Sequence, residues 1–122
     1  MPNDQRALVL VVEDEALVRM HGCDLLESAG FEVLEAETAD EAVALLEKHG
    51  DVHLLFSDID MPGSMDGLVF AAAVRDRWPP IKIVIVSGKR QPSADQIPAG
   101  GVFIAKPYDA RTMTEALTRM VA

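Results

Sequence analysis

The chain has 122 residues, 49% of them hydrophobic, which gives room for one domain with a single core and excludes a disordered acidic tail. Twenty acidic against eleven basic residues leave a formal charge of −9, which argues against a nucleic-acid or anionic-lipid surface, since both need clustered Lys and Arg. Cys23 is the only cysteine, so no internal disulfide and no CxxC metal pair can form.

In chain order, the first apolar run is ALVLVV (7–12), which reads as a strand but is too short for a signal or membrane segment. A cytoplasmic, reducing setting is therefore expected. Val18, Gly22, Leu25 and Ala29 then keep helical spacing between Glu15 and Ala29, and Gly30 supplies a stop. FEVLEA (31–36) reads as a second strand. Thr38-Ala39-Asp40-Glu41 has the form of a capping box, opening a helix that carries Ala42, Leu45 and Leu46 and ends near Gly50.

VHLLFS (52–57) is the third strand, and a helix from about Asp66 to Trp78 stops at Pro79-Pro80. KIVIVS (82–87) and GVFIA (101–105) complete five strands. Between them lies KRQPSADQIPAGG, where only 93–97 can be helical, so this element is predicted to be short or 3₁₀-like. The last helix runs from about Ala110 to Val121 with Met113, Leu117 and Met120 on one face. With no repeat, low-complexity tract or linker, one domain over 1–122 is expected.

Strands alternating with helices imply a parallel sheet covered on both faces, with ligands bound beyond the carboxyl ends of the strands. Glu13-Asp14 follow the first strand, Asp58 and then Asp60 the third, Ser87-Gly88 close the fourth, and Lys106-Pro107 follow the fifth. Taken singly, Glu13 or Asp14 reads first as a helix cap or first-turn charge, Asp58 as either a site or a turn residue, the serine as a turn residue and the lysine as a surface charge. Together they place carboxylates, a hydroxyl and an ammonium at one rim.

Two carboxylates about 4 Å apart repel by roughly 4 kcal/mol at an effective dielectric of about 20, so one is protonated or a cation sits among them. Oxygen donors on rigid strand ends suit Mg²⁺ better than Ca²⁺. A carboxylate can also act as a nucleophile toward phosphorus, with positive and hydrogen-bonding groups receiving the added oxygens. On this reading Glu13 and Asp14 hold the metal, Asp58 attacks, and Lys106 and Ser87 contact the phosphoryl group.

The segments VVEDE (11–15), DIDMPGSMDGL (58–68), IVSGK (85–89) and FIAKPYD (103–109) resemble the response-regulator receiver domains of two-component signalling, and the resemblance covers the whole chain. It implies a doubly wound, flavodoxin-like α/β fold with strand order 2-1-3-4-5. It also implies that Asp58 accepts a phosphoryl group from a histidine kinase or histidine phosphotransfer protein. Mg²⁺ would be bound by Glu13, Asp14, Asp58 and the main-chain carbonyl of Asp60. Ser87 and Phe103 would form a switch pair, Asp60 and Lys89 would tune dephosphorylation, and the Lys106–Pro107 bond would be cis. The output would be an altered contact with a downstream protein, with no nucleic acid or membrane involved.

Two features depart from the family pattern. Gly63-Ser64 inserts one residue between Pro62 and Met65, and the short fourth helix alters a face that the family commonly uses for output and dimerisation. Met61, Met65, Leu68 and Trp78 read as packing residues, Asp66 as a helix cap, and His21, His49 and His53 show no ligand spacing. A haloacid-dehalogenase-type phosphatase, using Asp58-x-Asp60, is the alternative from another class. Against it stand Pro62 where that family has Thr or Val, and acids that precede rather than follow the lysine. Within the receiver reading, no output segment follows Val121, so protein contact, a phosphate sink and a receiver fragment of a hybrid kinase all remain open.

Overall fold

The computed structural model describes residues 6–60 and 66–121. The elements alternate: β1 Leu8–Val12, α1 Ala16–Ser28, β2 Glu32–Ala36, α2 Ala39–Lys48, β3 Leu54–Asp58, α3 Gly67–Arg77, β4 Lys82–Ser87, a 3₁₀ turn Ala94–Gln96, β5 Val102–Ala105 and α4 Ala110–Val121. All strand pairs are parallel, in the order β2-β1-β3-β4-β5. The sheet order is the one the resemblance implies.

Burial follows position in the sheet. The central strands β1, β3 and β4 are almost wholly buried, whereas β2 and β5 lie at the edges and expose Glu32, Glu35 and Ala105. Alternate side chains enter opposite cores. Leu10, Val12, Leu55, Ile83 and Ile85 meet Ala42 and Leu46 of α2 and Phe70, Ala71 and Val74 of α3. Val9, Val11, Leu54, Phe56, Val84 and Val86 meet Cys23 and Leu26 of α1 and Met113 and Leu117 of α4.

The helix ends have local causes. Gly30 takes φ 99°, its amide donates to the Glu27 carbonyl, and the Phe31 amide donates to Leu26. That is a Schellman stop, closed by the apolar pair Leu26 and Phe31 in the same core. At the start of α2, the Thr38 hydroxyl accepts the Glu41 amide as the capping box requires, but Glu41 reaches back to the Glu37 amide rather than to that of Thr38. Asp66 caps α3 by accepting the Leu68 amide at 2.8 Å. Ser93 and Gln96 form a complete capping box on the 3₁₀ turn.

One face differs from the sequence pattern. In α1 the deeply buried residues are Gly22, Cys23 and Leu26, while Val18, Leu25 and Ala29 lie at the margin. The helix is rotated so that Leu26, the residue that also closes the Schellman stop, faces the sheet. Leu68 and Trp78 pack half-buried against the core, and the Arg77 guanidinium lies 4.3 Å from the Trp78 ring centre. The Gly63-Ser64 insertion, with Met61, Pro62 and Met65, lies outside the described residues. Immediately beyond it, Gly67 has its Cα against Ile59: a Cβ there would come within 2.4 Å of the Ile59 Cα.

Candidate phosphoryl-acceptor and metal site

Because every strand is parallel, the residues that follow β1, β3, β4 and β5 meet at one rim. Main-chain pairing continues past the strands and fixes them there. The Glu13 amide donates to Ala36, Ile59 to Val86, and Lys106 to Ser87 at 2.9 Å. The Lys106–Pro107 peptide is cis.

Glu13 and Asp58 are 5% and 4% exposed, and Asp14 is half-buried. These three offer carboxylate oxygens all within 4.8 Å of one another. The donor set fits a small hard dication, being all oxygen, anionic and carried on strand ends rather than a flexible loop. Lys106 Nζ reaches Glu13 Oε1 at 2.9 Å and Asp58 Oδ2 at 3.0 Å, so one ammonium offsets the repulsion between two buried acids. The other Asp58 oxygen, Oδ1, accepts the Asp60 amide at 2.9 Å.

The electrostatics follow from this packing. Burial pushes the Glu13 carboxyl up to about 7 and Asp58 adds to the effect, while hydrogen bonds from Lys106 and the Glu15 amide oppose it. Burial acts to lower the Lys106 ammonium, but the hydrogen bonds to Glu13 and Asp58 outweigh it and hold the group at about 12. Burial also raises the Tyr108 hydroxyl. The Tyr108 ring meets Phe56 edge-on at 5.6 Å, and its hydroxyl would sit 3.2 Å from any Cβ at Gly22, so Gly22 leaves room for the ring.

The remaining candidates divide. The Asp60 carboxylate turns to the loop after β4, where it accepts the Ser87 hydroxyl at 2.8 Å and the Gly88 and Lys89 amides at 3.1 and 3.2 Å. Burial acts to raise Asp60, but these donors and Arg90 hold it below the usual carboxylate value. The Lys89 side chain is exposed. Phe103, opposite Ile85 on β5, is half-buried against the core and lines an open cavity of about 280 Å³ together with Ser87, Lys89 and Arg90. Ser87 itself is 1% exposed.

Two arginines in this rim do not stand out in the sequence. Arg19 of α1 donates to the Glu13 carbonyl at 2.8 Å and pairs with Glu35 at 3.0 Å, tying the turn after β1 to β2. Arg90 pairs with Asp60 at 3.4 Å and Asp66 at 3.3 Å and also donates to the Ile59 carbonyl. The only hint of Arg90 in the sequence is its place three residues after Ser87, in a run that reads as solvated charge.

No helix among the described residues is long and apolar enough to cross a membrane. The family model for the response regulator receiver domain matches residues 9–118. Sensor kinase CckA of Brucella abortus (strain 2308) is 36% identical over 119 residues, covering 94% of this chain but 12% of that protein. Chemotaxis protein CheY of Bacillus subtilis (strain 168) is 36% identical over 115 residues, covering 91% of this chain and 94% of that protein. The chain therefore spans a small part of the first relative and almost all of the second. The crystal structure of the receiver domain from hybrid histidine kinase CckA superposes with a TM-score of 0.80 at 32% identity, covering 95% of this chain and 100% of that one. Matches of that length and identity mean that the chain belongs to the response regulator receiver domains, whose part in two-component signalling is to accept a phosphoryl group.

Proposed function

We propose that Asp58 accepts a phosphoryl group from a histidine kinase or histidine phosphotransfer protein, and that the modified carboxylate changes how this chain contacts a downstream protein. The observation that carries this reading is the pose of Asp58. The residue is buried, with one oxygen held by the Asp60 amide and the other by Lys106, so it faces the rim in a single orientation. In the transfer, an Asp58 oxygen forms a bond to phosphorus as the phosphorus–nitrogen bond of the donor imidazole breaks. The electron pair stays with that nitrogen.

Glu13, Asp14, Asp58 and the Asp60 carbonyl are the residues that would hold Mg²⁺, which supplies charge neutralisation for the phosphoryl oxygens when bound. Lys106 is already beside Asp58 and supplies the positive charge for an added oxygen. Ser87 supplies a hydroxyl from the neighbouring strand, and Phe103 lies two residues from the Ser87 partner Ala105 on β5, placed to follow its movement inward. The side chains of Asp60 and Lys89 are assigned to tuning hydrolysis.

A turnover phosphatase would need Asp60 as a general acid, and a carboxyl held below its ordinary value by four donors is poorly suited to give up a proton. The likeness to CckA supports a second reading of the biological setting, in which the chain serves as the receiver portion of a hybrid kinase.

The test is incubation with a small phosphodonor and Mg²⁺. The expected result is an acid-labile, stoichiometric and slowly decaying label, absent from Asp58→Asn and from protein in chelator. Label persisting at an unchanged level in Asp58→Asn would remove the site, and steady release of phosphate would favour the phosphatase.

A further inference from the structure

The Ser87 hydroxyl is fully subscribed. Its one proton goes to Asp60 Oδ2 at 2.8 Å, and its oxygen accepts the Arg90 amide at 2.8 Å and the Lys89 amide at 3.2 Å. Ser87 therefore cannot donate to a phosphoryl oxygen on Asp58 without first leaving Asp60. The switch hydroxyl already has an anionic partner, and that partner competes with phosphate.

The Gly88 and Lys89 amides hold Asp60 Oδ2 in this competing pose, and the Arg90 side chain holds the other carboxylate oxygen. Its guanidinium pairs through Nε with Asp60 Oδ1 at 3.4 Å and through Nη1 with Asp66 Oδ2 at 3.3 Å, while Nη2 donates to the Ile59 carbonyl. Three points on the polypeptide around Asp60 are thus pinned by one planar fork, a geometry that an ammonium cannot reproduce. The Asp60 side chain is 9% exposed and that of Arg90 40%, so the arginine closes the site from the solvent side. Without it, Asp60 Oδ1 would lose its charged partner in the company of Asp58 and Asp66. Repulsion and hydration would then draw the carboxylate outward, away from Ser87.

We propose that Arg90 is a positioning residue that sets the resting state of the switch, by holding Asp60 where it takes the Ser87 hydroxyl. The inference rests on the reading of Asp58 as phosphoryl acceptor. Arg90 acts through Asp60 and does not itself touch Asp58. Its loss frees Ser87 and makes capture of the phosphoryl group easier.

The experiment titrates beryllofluoride, a stand-in for the phosphoryl group, at fixed Mg²⁺ and follows the bound species by ¹⁹F NMR. Wild type, Arg90→Ala and Arg90→Lys are compared, each with Ser87 intact and with Ser87→Ala. Arg90→Ala is expected to bind about three- to tenfold more tightly than wild type, the scale of one released hydrogen bond. Arg90→Lys should show a smaller gain in the same direction. With Ser87→Ala both gains should vanish, because a general change of charge near the site would survive that substitution and release of the hydroxyl would not. Circular dichroism establishes that each variant is folded, and if Arg90→Ala is not, Arg90→Lys decides. Equal or weaker binding by the Arg90 variants, or an undiminished gain without Ser87, overturns the role of Arg90 alone. Failure of wild type to bind beryllofluoride overturns the phosphoacceptor reading and this inference with it.

Discussion

Cys23 is 6% exposed on the inner face of α1, where burial and then the Glu35 and Glu27 carboxylates push its ionisation up to about 12. At pH 8 only about one molecule in ten thousand would carry the reactive thiolate. Alkylation by iodoacetamide at that pH is therefore expected to be slow in the native protein and complete in denaturant, and rapid native labelling would contradict the packing of α1. Single residues also show where sequence reading stops. Glu13, Asp14, Asp58, Asp60, Ser87 and Lys106 were legible because each falls at a strand end, where the parallel topology gives position a chemical meaning. Arg19 and Arg90 were not. A long side chain acts at its tip, several ångströms from its place in the sequence, and nothing local distinguishes a solvated arginine from one folded back onto a carbonyl. For the same reason the family resemblance points to Asp60 as a carbonyl ligand and rate-tuning side chain, while its hydrogen bond from Ser87 matches no pattern in the chain.

At the scale of elements, the turn at Gly30 isolates one backbone effect. Its φ of 99° is in the left-handed region, yet a Cβ built there meets nothing within 4 Å. Gly30→Ala should therefore cost about 1–2 kcal/mol from backbone conformation alone, measured as a lower urea midpoint with an unchanged slope. No measurable loss would mean that the Schellman stop does not restrain α1. Strand and helix positions were largely readable, since KIVIVS and ALVLVV are continuous apolar runs and the stops are Gly and Pro. The face of α1 was less so. Val18, Gly22, Leu25 and Ala29 lie on one stripe, of which Gly22 is deeply buried; Cys23 and Leu26 lie beside it, and only packing against the sheet and the Phe31 contact brings them inward.

For the whole molecule, Glu13, Asp14 and Asp58 offer carboxylate oxygens within 4.8 Å of one another, and a cation held there would stabilise the folded state. A ligand that binds only the native form at a hundred times its Kd adds about 2.7 kcal/mol. Millimolar MgCl₂ is thus expected to raise the melting temperature above that in NaCl of equal ionic strength, and Asp14→Asn should remove most of the rise. An equal rise in both proteins would place the cation elsewhere. The order of the sheet lies beyond local pattern, because it depends on which distant strands pair, and it was available only through the family resemblance.

The hydrogen bond from Lys106 to Glu13 spans 93 positions of the chain. The acids come from the first half of that span, and the lysine follows the edge strand that is made last. On a ribosome, β1 and β3 would be exposed for many seconds before β5 could complete the pocket. Throughout that interval Glu13 and Asp58 lack the ammonium that pairs with them in the finished fold. If Asp58 is the acceptor and needs Lys106 beside it, placing the final charge after the final strand would couple the ability to receive a signal to completion of the fold.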